Sequence, residues 1–172
     1  MTDIRMADTA ASPDIRTTQL TPLDTRQKSV LRIRAILGGL PPLAMLAVGD
    51  VVAAGELGFT AGWIGGAGLL LYLATVLLLP GRRYRRWGYY QGDAGILIAS
   101  GLLIRRETIV PYDRVQHIDV SRGPIERSFG VSTLTLHTAG SYNSTVDLPG
   151  LALEDANRMR DEIRAHISED LP

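Results

Sequence analysis

At 172 residues the chain has room for one compact domain and an appendage, but not for two full domains. Its eighteen basic residues balance eighteen acidic ones, so no overall field draws it to nucleic acid. The lack of cysteine excludes disulfides, a thiolate nucleophile and a Cys-ligated metal.

Residues 1–29 are rich in Thr, Asp, Pro and Ala without apolar periodicity, which predicts a disordered cytoplasmic tail. Every basic residue lies at or before Arg34 or at or after Arg82, and residues 35–81 carry only Asp50 and Glu56 as charges. That gap divides into apolar runs at 35–55 and 61–80, each near the ~20 residues a helix needs to cross a bilayer. Residues 30–81 are therefore expected to form a transmembrane hairpin. Arg32 and Arg34 precede it, and Arg82, Arg83, Arg85 and Arg86 follow it. By the positive-inside rule both termini then face the cytoplasm. The same four arginines form a basic cluster at the membrane surface, with Tyr84, Trp87, Tyr89 and Tyr90 as an interfacial belt. Pro41-Pro42 is expected to kink or interrupt the first span. Gly58, Gly62 and Gly66 recur every fourth residue, giving a face for helix packing. Asp50, near the outer end, suits an interfacial or helix-pairing role.

Residues 82–168 read as short strands followed by a helix, a cytoplasmic domain. Strands are predicted at 94–101 and 102–111 around a Ser-Gly turn, then at 114–120, 131–138 and 145–150. In the third, Gln116, Ile118 and Val120 share one face, and Val115, His117 and Asp119 the other. In the fourth, Leu134 and Leu136 point inward and Thr133, Thr135 and His137 outward. Leu153, Ala156, Met159, Ile163 and Ile167 then recur at helical spacing. Glu154 and Arg158 are placed for an i, i+4 pair on that helix.

The stretch from Pro111 to Gly130, PYDRVQHIDVSRGPIERSFG, is the densest in polar side chains. It carries Arg114, Gln116, His117 and Asp119, then Gly123-Pro124, Glu126, Arg127 and Gly130. Together with the two spans, the basic aromatic segment and DLPGL before the last helix, it resembles the bacterial pleckstrin-homology membrane proteins of the YdbS-like group. The resemblance covers roughly residues 30–168. It implies a membrane protein with an N-terminal two-helix hairpin and a mainly-β, pleckstrin-homology-like barrel capped by a C-terminal helix. It also implies an address at the bacterial cytoplasmic membrane, and little biochemistry.

Three function classes compete. Ser128, His117 and Asp119 could be drawn as a hydrolytic triad, but Ser128 lacks a nucleophile-elbow context. His117, His137 and His166 are too widely spaced for a helical metal motif, so no catalytic residue, metal or cofactor is indicated. The loop QGDAG at 91–95 carries an acid and no base, which argues against inositol-lipid binding there. Anionic-lipid headgroup binding or sensing through the four arginines is the alternative reading. The favoured one is a non-enzymatic, membrane-anchored scaffold whose motif residues are structural or dock a protein partner or a second copy. Ile125 and Phe129 would plug the barrel, and Glu126 and Arg127 would tie down the exit loop.

Overall fold

The computed structural model describes residues 20–57, 62–139 and 145–169. Two helices come first, α1 (Gln27–Leu57) and α2 (Trp63–Arg85), packed on each other as a hairpin. Both are long and apolar enough to cross a membrane. Their apolar side chains point outward; Met45, Leu70 and Leu77, for example, are exposed. The α1 helix continues through Pro41-Pro42 rather than being interrupted there. At 1.5 Å per residue it is about 46 Å long, roughly 16 Å more than a hydrocarbon core needs. Its first turns, residues 27–34, are the ones in contact with the domain, through buried Gln27 and Val30 and through Arg34.

The strands are β1 (Gly88–Gln91), β2 (Gly95–Ser100), β3 (Arg106–Pro111), β4 (Val115–Ser121), β5 (Val131–Thr138) and β6 (Thr145–Ala152). A short helix, α3 (Pro124–Phe129), joins β4 to β5, and α4 (Leu153–Glu169) follows β6. The strands form two antiparallel sheets, β1-β2-β3 and β4-β5-β6. The expected barrel is not closed: among the described residues no ladder joins one sheet to the other. A single core lies between them instead. Ile96, Ile98 and Val110 come from the first sheet, Leu134, Leu136 and Leu148 from the second, and Ala156, Met159 and Ile163 from α4. Each large aliphatic side chain buried this way contributes about 1.5–3 kcal/mol, so the alternation in β5 and the helical stripe of α4 fix which faces meet. Leu153 and Ile167, at the ends of that stripe, are only half-buried.

Three expectations change. GYYQ is a strand, so Tyr89 packs against the core, and Tyr84 is buried too; neither belongs to an interfacial belt. The second strand of the first hairpin starts at Arg106, leaving Leu102–Arg105 in the connection. Of the tail expected over 1–29, residues 1–19 lie outside the described residues, whereas the rest is held in place. Thr21 bridges to Tyr89, Leu23 is buried, and residues 27–29 already belong to α1.

Candidate functional site

The polar motif begins in a single 3-10 turn (Tyr112–Arg114), which buries Tyr112 and leaves the Arg114 side chain exposed. The Arg114 carbonyl accepts from the Ala139 N–H at 3.0 Å, which ties the entry of β4 to the end of β5. The ladder register shifts between Val115 and His117. A bulge inserts one residue and reverses the facing of those before it. Val115 is therefore buried, His117 is exposed, and Gln116 is exposed rather than sharing an inward face with Ile118 and Val120.

After β4, Gly123 precedes α3 and Pro124 occupies its first turn, where a missing N–H costs nothing. Glu126, two residues on, is buried. Its Oε2 accepts from the Gly123 N–H at 2.6 Å, closing the loop on itself. Its Oε1 accepts from Arg34 at 3.0 Å and from the Thr133 hydroxyl at 3.3 Å. Gly130 ends α3 at φ 70, and a side chain there would meet the Arg26 guanidinium. Arg127 is exposed, and its carbonyl accepts from Arg122 at 3.3 Å. Ile125 and Phe129 are half-buried.

Glu126 thus links the motif to the N-terminal end of α1. Further contacts reinforce the link. The Asp24 N–H donates to the Gly150 carbonyl at 2.8 Å, and the buried Gln27 side chain lies against Gly150. Gly150 has φ +75, a conformation that side chains disfavour, and a Cβ there would lie 2.6 Å from Gln27. On the other helix, the Tyr84 hydroxyl donates to the Leu23 carbonyl at 2.7 Å, and the Lys28 ammonium sits 4.5 Å from the Tyr84 ring centre. Sequence reasoning gave Arg34 only a topological role. Its acidic partner is 92 residues away, and no local pattern reports such a pairing.

The outward face of the second sheet carries an ordered polar row. The Asp119 carboxylate bonds His117 Nε2 through Oδ1 at 2.9 Å and His137 Nε2 through Oδ2 at 3.2 Å, one oxygen to each ring. His117 and His137 are direct cross-strand partners. The neighbouring Thr135 hydroxyl donates to Asp147 at 2.8 Å. Ser128 is not part of this group: its hydroxyl donates to the Pro124 carbonyl within α3. His166 lies elsewhere, its ring 5.3 Å from that of Tyr112. Among the described residues, no cluster of three or more His, Asp or Glu is placed to hold a metal ion.

In the hairpin, Asp50 is buried and caps α2, accepting from the N–H groups of Gly62 and Ile64. A carboxylate there also suits the positive end of the helix. The glycines whose open side faces α1 side chains are Gly65, toward Asp50, and Gly68, toward Leu46. Gly62 and Gly66 turn that side to open space, and Gly58 lies outside the described residues. Arg82, Arg83 and Arg85 occupy the last turn of α2 and Arg86 caps it, all exposed. On α4, Arg158 turns to Asp155 and Glu162, not to Glu154.

Comparison with known proteins adds two matches. The bacterial PH domain family matches residues 35–167. A transmembrane protein of Bacillus subtilis (strain 168), UPF0699 transmembrane protein YdbS, is 35% identical over 112 residues, which is 64% of this chain and 69% of that one. No solved structure matches.

Proposed function

Because the chain belongs to the bacterial PH domain family and is a membrane protein, we propose that it is a non-enzymatic anchor holding a PH-like module in one orientation at the cytoplasmic face. In this reading the module docks a protein partner or a second copy through the outward face of β4-β5-β6. The observation that carries it is the polar row on that face. His117, Asp119, His137, Thr135 and Asp147 are held in register by the ladder and by one another's hydrogen bonds. A surface ordered before binding loses little side-chain freedom when a partner arrives. The Arg34–Glu126 link supports the same reading, since a docked domain presents that face at a set angle to the bilayer. The basic flanks of the apolar segment support a cytoplasmic side for both termini and the domain.

The chain has no cysteine, so single-cysteine variants carry one defined crosslinking point. Thr135→Cys reports on the polar row, and Arg164→Cys on the exposed side of α4. With a short thiol-to-photoprobe crosslinker in native membranes, the row position is expected to give one recurrent adduct, of twice the chain mass if the chain pairs with itself. The α4 position should give none. Monomer alone at both positions, or the same adducts at both, would overturn this assignment.

A further inference from the structure

A second surface, away from the polar row, has a different chemistry. A half-open cleft of about 760 Å³ lies where the membrane hairpin meets the connection between β2 and β3. Its lining changes character along the chain direction of α2. Thr75, Leu79 and Pro80 belong to the apolar span, and Arg83 and Trp87 follow below it. Across from them, Leu31 and Ala35 on α1 continue the apolar part, with Arg34 between. The β2–β3 connection closes the side with Leu102, Leu103 and Ile104, and Arg106 at the start of β3 follows.

Two properties of this cleft point to one kind of ligand. No carboxylate lines it, although three guanidinium groups do. Arg34 is engaged by Glu126 but half-exposed, and among the described residues Arg83 and Arg106 form no ion pair. Leu103 and Ile104 are 92% and 77% exposed, on a strand connection of the domain rather than on a membrane helix. Leaving such side chains in water forgoes their burial, and an apolar tip beside arginines suits the boundary between acyl chains and headgroups.

We propose that this cleft binds one anionic phospholipid of the cytoplasmic leaflet. The acyl chains lie along Thr75, Leu79 and the Leu103-Ile104 tip, and the phosphate faces Arg34, Arg83 and Arg106. Guanidinium groups are the side chains best matched to phosphate oxygens. Arg82, Arg85 and Arg86 do not line the cleft, so a bound lipid is distinguishable from diffuse attraction by the whole basic cluster. The inference is independent of the polar-row reading, because the two surfaces share no residue.

Trp87 lines the cleft and the chain has only one other tryptophan, Trp63, so Trp63→Phe leaves Trp87 as a reporter in the full-length protein. In nanodiscs, brominated phosphatidylglycerol is expected to quench Trp87 at much lower mole fraction than brominated phosphatidylcholine. Arg83→Gln with Arg106→Gln should weaken that preference about 30-fold, at about 1 kcal/mol per arginine and 1.4 kcal/mol per tenfold change. Arg82→Gln with Arg85→Gln should leave it within about threefold, as expected for charges outside the site and screened by salt. Leu103→Ser is a second probe that leaves the core untouched, and it should lower quenching by the phosphatidylglycerol. Equal quenching by the two lipids would overturn the proposal. So would an equal loss from the two arginine pairs, which would mean surface charge without a site.

Discussion

Glu126 shows how one carboxylate can close a loop and fasten two parts of a molecule. It is buried, and its three donors come from its own loop, from β5 and from α1. Glu126→Ala strands the Gly123 N–H and is expected to cost about 1–3 kcal/mol in thermal unfolding of the detergent-solubilised chain. Arg34→Gln should cost under about 1 kcal/mol, because half of that side chain is in solvent. Glu126→Gln keeps an acceptor for Gly123 and should fall between them. A loss in the Gln variant as large as in the Ala variant would show that the ion pair, not the loop bond, dominates. Gly150 tests the same junction from the other side. Gly150→Ala combines a disfavoured φ with a clash on Gln27, and about 1–3 kcal/mol should be lost. Adding Gln27→Ala removes the clash but not the backbone strain, so a melting curve should recover only in part.

At the scale of elements, α4 and the hairpin turn carry separable contributions. Ile163 is wholly buried in the core between the sheets, and Ile163→Ala should destabilise by about 2–5 kcal/mol. Its exposed neighbour Arg164 should tolerate alanine within about 0.5 kcal/mol. Asp50→Ala removes the cap of α2, a loss of about 0.5–2 kcal/mol. Amide exchange should quicken at Gly62–Ile64 while α4 stays protected; uniform quickening would mean that the whole fold had loosened. These elements differ in how far the sequence disclosed them. The alternation in VSTLTLHT and the stripe of α4 placed β5 and α4 correctly, because both patterns are local and match the period of the element. Gln116 was misplaced because a bulge breaks period two without marking itself in the residues. GYYQ passed for an interfacial belt, since aromatic residues suit a strand and a headgroup layer equally well. Which glycines turn toward α1 was hidden for a similar reason. Several glycines lie in that run, and only the packing selects Gly65 and Gly68 over Gly62 and Gly66.

For the whole molecule, the charge gap between Arg34 and Arg82 and the motif through Gly130 made the membrane hairpin, the mainly-β domain and the family readable in advance. What joins hairpin to domain was not readable, because Arg34–Glu126, Tyr84–Leu23 and Asp24–Gly150 are contacts of high sequence separation. The topology is testable on single-cysteine variants. Glu56→Cys should react with a membrane-impermeant maleimide on intact cells, and Ser128→Cys only after permeabilisation. The reverse pattern would invert the orientation.

One consequence of the long first helix remains. Because α1 runs unbroken from Gln27 to Leu57 and is fastened at its base by Glu126 and Gly150, it works as a lever with no break between those contacts and its apolar length. Membrane helices lean further over in a thinner bilayer, by tilts that average about 20°. Here the domain must swing through the same angle as the hairpin. Bilayer thickness is thereby converted into the direction in which the histidine-bearing sheet points.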